Sequence, residues 1–127
     1  MTTYVQKLQE IRRESFSNEV QLSLALNAKN YLDNHYDQDI NLRSLAHIQL
    51  TSPYHLIRIF KQYFGITPRQ FLIDKRIQQA KIALKNGKSV SEACYDVGFQ
   101  SVQSFSRLFK EKTGGTPSSY RKAIFDK

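Results

Sequence analysis

Apolar residues along this chain recur at intervals of three and four rather than two, the pattern of amphipathic helices, and the expected fold class is all-α. Tyr4, Leu8 and Ile11 line one face of a short N-terminal helix. Val20, Leu24, Ala28, Tyr31 and Leu32 make the stripe of a first core helix, ended by Asp33-Asn34-His35-Tyr36-Asp37, several of whose side chains compete for backbone bonds. Asn41 caps a short helix with Leu42, Leu45 and Ala46 inward. Leu50-Thr51-Ser52-Pro53 then turns the chain into a helix whose first turn tolerates Pro53, because the missing N–H would be unpaired there anyway. Leu56, Ile59, Phe60 and Tyr63 or Phe64 face inward until Gly65 closes it. Residues 69–85 read as one long helix of roughly 26 Å, with Phe71, Leu72, Ile77, Ala80, Ala83 and Leu84 apolar and Asn86-Gly87 as its stop. Ser89, with Glu92 three residues on, caps another short helix before the turn at Gly98. Ser101 opens a helix burying Phe105, Leu108 and Phe109, and Pro117 opens the last, with Tyr120 and Ile124 inward.

The pattern repeats. Adding 49 takes Ser52 to Ser101, Leu56 to Phe105, Arg58 to Arg107, Phe60-Lys61 to Phe109-Lys110, Gly65 to Gly114 and Thr67-Pro68 to Thr116-Pro117. Earlier in each copy the offset is 48, pairing Leu42 with Val90, Leu45 with Ala93 and Ala46 with Cys94, so the second copy carries one extra residue at its turn. Two copies are too few for a solenoid. A short helix, a tight turn and a second helix with a polar outer face make a helix-turn-helix unit, whose second helix is shaped to enter a DNA major groove. The expected organisation is an N-terminal extension or short helix over residues 1–18 and a first helix-turn-helix subdomain over 19–68. A linker helix over 69–86 and a second subdomain over 87–127 follow, the two subdomains being homeodomain-like three-helix units.

Charge sharpens this. The chain of 127 residues carries a formal charge of +8 and a pI of about 9.7, which favours a polyanionic partner. From Arg58 onward there are 14 basic and 5 acidic residues, against 5 basic and 6 acidic before it, and the positive field therefore belongs to the second half. Cys94 is the only cysteine, which excludes an internal disulfide and a thiolate-rich metal site. The first residues lack the apolar core of a secretion signal and no run reaches membrane-span length, so a cytoplasmic protein with no membrane role is expected. His35, His47 and His55 have no metal-ligand spacing with Asp, Glu or Cys, and the serines sit at caps rather than beside a base. No enzyme, cofactor or metal site is expected.

The later stretch from Val90-Ser91-Glu92-Ala93-Cys94-Tyr95-Asp96-Val97-Gly98-Phe99-Gln100 through Ser101-Val102-Gln103-Ser104-Phe105-Ser106-Arg107-Leu108-Phe109-Lys110, with Gly114, Thr116-Pro117 and Tyr120-Arg121, resembles the DNA-binding domain of the AraC/XylS family of bacterial transcription regulators. Arg76-Ile77-Gln78-Gln79-Ala80-Lys81-Ile82-Ala83-Leu84 resembles that family's central helix, and Leu45-Ala46, Ser52, Leu56, Arg58 and Phe60-Lys61 match its first unit. The resemblance covers about residues 25–124. It implies sequence-specific binding to double-stranded DNA, RNA polymerase as a second partner, and location on the bacterial nucleoid when bound. Two residues depart from the pattern: Cys94 replaces the usual Ala, and Leu50 stands where the family often has Gly, so a tighter or differently shaped first turn is expected. With about 24 residues ahead of the match, no effector-binding domain is expected within this stretch, and a stand-alone activator or a fragment of a larger regulator is expected.

Family pattern and helical geometry agree on the outward, early positions of each second helix. The base-contact candidates are Tyr54, His55, Ile57 and Arg58 in the first unit and Val102, Gln103, Ser104 and Arg107 in the second. Arginine can grip guanine O6 and N7 with two bonds, Gln103 can pair with adenine, and Ile57 and Val102 can meet a thymine methyl. Ile57 suits core packing as well, and Tyr54 suits either a sugar contact or helix packing. The phosphate candidates are Ser52, Lys61, Ser101, Ser106, Lys110, Lys112, Arg121 and Lys122, groups that set register without reading sequence. Ser52 and Ser101 are equally expected as plain caps. Phe60, Phe64, Phe71, Phe105, Phe109 and Tyr120 have core spacing and read as packing, and Cys94 as a small buried hydrophobe. Because the two outward sets differ chemically, one monomer is expected to read an asymmetric site across two successive major-groove segments. The competing classes are an architectural binder without sequence preference, and a protein-interaction helical module or C-terminal fragment of an effector-sensing regulator, with Tyr4 to Glu14 as partner helix or linker. Specificity ratio at fixed salt separates the first of these. Loss of function without loss of DNA affinity on deleting residues 1–18 marks the second.

Overall fold

The computed structural model describes residues 3–125, among which there are seven α-helices and no strand. They are α1 (Tyr4–His35), α2 (Leu42–Ile48), α3 (Pro53–Phe64), α4 (Pro68–Lys85), α5 (Val90–Asp96), α6 (Val102–Thr113) and α7 (Pro117–Phe125). The repeat is therefore geometric as well as textual. α2 and α5 correspond end to end at an offset of 48, and α3 and α6 at 49.

Local chemistry sets the helix starts. Asn41, Ser52, Ser89 and Ser101 each accept a bond from the backbone N–H three residues on, and Glu92 completes a capping box with Ser89. Thr67 does the same with Gln70 at the start of α4. Gly65 and Gly114 close α3 and α6 in the left-handed conformation.

α1 departs from expectation. The short N-terminal helix and the first core helix are one continuous 32-residue element, started by a Thr3/Gln6 capping box and running unbroken through residue 18. No Gly or Pro occurs before Pro53, so nothing in the sequence forces a break. Residues 4–20 are all exposed, and only the later part, through Ala25, Ala28 and Leu32, is buried. Val20, placed on the core stripe by its spacing, is 51% exposed; near that level α1 receives the Tyr63 hydroxyl on the Asn18 carbonyl, a polar contact that leaves the apolar stripe uncovered.

Two cores lie on either side of α4. The first gathers Ala28, Leu32, Leu45, Ala46, Leu56, Phe60 and Leu72. The second gathers Ile77, Ala80, Leu84, Ala93, Cys94, Val97, Phe99, Phe105 and Phe109. The aromatic packing repeats too: Phe60 meets Phe71 edge-on at 5.7 Å, and their equivalents Phe109 and Tyr120 meet at 5.5 Å. Cys94 is fully buried in the place of Ala46, and burial pushes its thiol above the ordinary value, as for an inert core residue.

The two turns share one shape. Leu50 N–H donates to His47 and Thr51 N–H to Ala46, just as Gly98 donates to Tyr95 and Phe99 to Cys94. Leu50 adopts φ 55° to do so, the only non-glycine with positive φ among the described residues, with its side chain 92% exposed. The expected tighter or reshaped turn is absent: leucine bears the left-handed cost and keeps the bonds. The extra residue of the second copy falls just after this point, where Phe99-Gln100 stands for Thr51 and Phe99 drops into the core against Phe105 at 5.1 Å.

Candidate nucleic-acid interface

The buried stripes of α3 and α6 leave equivalent faces outside. On α3 the exposed positions are Pro53, Tyr54, Arg58, Lys61 and Gln62, and on α6 they are Gln103, Ser104, Arg107, Lys110, Glu111 and Lys112. A cleft of about 740 Å³ lies between the two units; Ile57 of α3 and Ser104 and Leu108 of α6 both line it, so the two helices flank one concavity. The wall behind is formed by Leu72, Ile73 and Arg76 of α4. At about 1.5 Å per residue the 18 residues of α4 span roughly 27 Å, which with the bodies it joins is of the order of one DNA turn, about 34 Å.

The individual candidates differ in what holds them. Tyr54 is 78% exposed and unpacked, which leaves its ring available and removes the helix-packing reading. Arg58 Nη2 lies 3.1 Å from His55 Nδ1, so half-buried His55 steadies the arginine from one turn earlier. Arg107 instead donates to Glu111 at 3.1 Å, an exposed pair one turn apart. Such pairs are worth well under about 1 kcal/mol and yield readily to a stronger acceptor. Gln103 and Ser104 are exposed. Ile57 is half-buried on the cleft wall, and Val102 is half-buried against the second core, so each presents only part of its side chain.

The phosphate candidates divide in the same way. Lys61, Lys110 and Lys122 are exposed and have no ion-pair partner among the described residues. Lys112 bonds Asp74 of α4 at 2.9 Å. Arg121 donates to the carbonyls of Lys88 and Gly87, at 3.1 and 3.4 Å, and its guanidinium covers Phe125; it ties α7 to the end of α4. Ser52 and Ser101 serve as caps through their hydroxyls, with helix-start amides beside them, and Ser106 is half-buried.

One prominent group leaves no functional signal in the sequence. Arg76 was legible only as part of the central helix, yet it donates to the carbonyls of Tyr36 and Gln38. Backbone carbonyls some forty residues away leave no mark in a sequence, and Arg76 has no counterpart in the second copy, where Phe125 stands.

A helix-turn-helix domain family matches residues 45–123. An HTH-type transcriptional regulator of Pseudoalteromonas carrageenovora is 34% identical over 114 residues, covering 88% of this chain and 68% of that protein. The arabinose operon regulatory protein of Escherichia coli is 33% identical over 99 residues, covering 76% of this chain and 34% of its own length. The chain thus spans about two thirds of one relative and a third of the other. The DNA-binding domain of the global transcriptional factor AdpA, solved in complex with a target DNA, superposes with a TM-score of 0.74 at 27% identity, covering 78% of this chain and 90% of that one. No helix among the described residues is long and apolar enough to cross a membrane. With matching units, matching turns and matching relatives, the chain belongs to the AraC-type helix-turn-helix family of DNA-binding transcription regulators.

Proposed function

We propose that a single copy of this chain reads one asymmetric duplex site, with α3 and α6 in successive major-groove segments, and controls transcription there together with RNA polymerase. The observation that carries this reading is that two equivalent exposed faces flank one cleft while bearing different side chains. Arg58 and Arg107 serve as the principal readers, since each can present two donors to guanine. Gln103 reads adenine, Tyr54 and Ser104 add contacts at the edges, and the exposed parts of Ile57 and Val102 meet thymine methyls. His55 acts chiefly by holding Arg58. Lys61, Lys110 and Lys122 neutralise phosphates, as do the amides beside Ser52 and Ser101. Ser106, Lys112 and Arg121 contribute less, because the fold already engages or half-covers them. The DNA complex of the AdpA domain supports a duplex partner, and the regulators among the relatives support transcription as the process.

Selection from randomised duplexes tests this directly. The expected result is one bipartite, non-palindromic motif bound by one chain per duplex. Arg58→Ala and Arg107→Ala should relax different halves of it, each at a cost of roughly 1 to 3 kcal/mol at its own base pair. Equal affinity for every duplex sequence sinks the proposal and returns the chain to an architectural class.

A further inference from the structure

Nothing on the two reading helices themselves decides how far apart they stand. α4 is packed into the first core through Leu72 and into the second through Ile77, Ala80 and Leu84. One shared helix leaves two bodies able to twist about it unless a second tie exists.

The second tie is at Arg76. Its Nε donates to the carbonyl of Tyr36 at 2.7 Å and its Nη2 to the carbonyl of Gln38 at 2.8 Å. The guanidinium also lies 5.7 Å from the centroid of Phe99, in the turn of the second unit. Tyr36 packs against both cores, and its hydroxyl reaches Gln79 at 3.5 Å. From the far side Gly98 abuts the same carbonyl: a Cβ on Gly98 would lie 2.7 Å from Tyr36 O and 3.0 Å from Arg76 Nε. The segment leaving α1, the middle of α4 and the turn of the second unit therefore meet around one side chain. Asp37 and Asp39 supply negative charge that offsets the burial of the guanidinium. Arg76 stands on the back wall of the cleft, on neither α3 nor α6.

We propose that Arg76 is the spacing gauge of this protein: by stapling the α1–α2 connection to α4 and to the second turn, it fixes the separation and orientation of α3 and α6. DNA selectivity for the distance between half-sites then depends on a residue that reads no base. Arg76 is a positioning residue, and the inference rests on the bipartite reading given above. Its chemistry is specific to arginine, because a planar fork holds two carbonyls at once while covering an aromatic ring, which an ammonium cannot do.

The test compares the wild type with Arg76→Lys, which keeps the charge and loses the fork. One inserted base pair moves the half-sites by about 3.4 Å and rotates them by about 35°, so a rigid pair of readers is heavily penalised and a loose pair is not. For Arg76→Lys we expect wild-type affinity for isolated half-sites and roughly tenfold weaker binding to the correctly spaced site. The penalty for adding or removing one base pair should fall to within about threefold. Spin labels at Gln62→Cys and Ser118→Cys, both exposed and outside the proposed contacts, report the same thing without DNA. They are placed in a Cys94→Ala background, alanine being the residue at the equivalent position of the first unit. The interlabel distance should be narrowly distributed with arginine and broadened with lysine. An unchanged spacing penalty with a narrow distribution overturns the gauge. So does an equal loss on half-sites and intact sites with the penalty retained, which marks a direct contact or a fold defect. If the wild type shows no sequence preference, the bipartite reading fails and takes the gauge with it; the label distances distinguish that from failure of the staple alone.

Discussion

At the scale of single residues, the two helix-turn-helix turns set a controlled comparison. Leu50 and Gly98 hold the same hydrogen bonds with positive φ, but only one of them is glycine. An L-residue in the left-handed region costs roughly 1 to 2 kcal/mol, and glycine returns about half of that by loosening the unfolded chain. Since the Leu50 side chain is 92% exposed and packs on nothing that truncation would empty, Leu50→Gly should raise the unfolding free energy by roughly 0.5 to 1 kcal/mol. Gly98→Ala should do the reverse, and more strongly, because its φ is 102° and the added methyl would meet backbone at 2.7 Å; about 2 to 4 kcal/mol is expected. Urea titration of both variants checks the pair, and an unaltered or destabilised Leu50→Gly variant contradicts the argument. The sequence made Leu50 visible as an anomaly but misdirected the reading toward a reshaped turn. The bonds to the carbonyls of His47 and Ala46 are what define that turn, and a residue can satisfy them at a price that no sequence pattern displays.

At the scale of elements, the helices whose ends depend on local side chains were the most legible. Asn41, Ser52, Ser89 and Ser101 are caps whose side chains accept from backbone N–H groups only three residues on, and the prolines and glycines fall where helix termini tolerate them. α1 was less legible for the opposite reason. Its apolar stripe shifts from one face to another along its length, which reads as two helices, yet the backbone needs only the absence of a breaker to propagate from a docked end. Residues 4–20 are exposed throughout, and Asn18 is touched by the hydroxyl of Tyr63, so removing residues 1–17 should lower the unfolding free energy by less than about 1 kcal/mol. Leu32→Ala, at the buried end of the same helix, should cost about 2 to 5 kcal/mol. Thermal and urea unfolding of the two variants side by side decides it; a truncation as damaging as Leu32→Ala would mean that the overhang is held by contacts absent from this fold.

For the whole molecule, the skew of positive charge toward the second half was legible from composition, whereas its deployment was not, because an ion pair between Lys112 and Asp74 or between Lys75 and Asp33 joins residues far apart in sequence. This division bears on DNA binding through counterion release: each phosphate neutralised contributes about 0.9 to the slope of log affinity against log salt. A lysine that must leave a partner on another helix, as Lys112 must leave Asp74 of α4, neutralises phosphate less fully than an exposed, unpaired one, and the counterions condensed on the DNA are released in proportion. Lys61→Ala and Lys110→Ala should therefore each lower the salt slope by about 0.9, and weaken binding to every duplex sequence by a similar factor. Lys112→Ala should lower it by less than half as much, since Asp74 holds its ammonium at 2.9 Å. Arg58→Ala differs in kind, losing discrimination at its own base pair beyond any change in slope. Titrations at several salt concentrations on the selected site and on a scrambled duplex separate these effects. Equal slopes for Lys61→Ala, Lys110→Ala and Lys112→Ala would show that the intramolecular pairs open on DNA at no cost, and the distinction between engaged and available cations would then carry no functional weight.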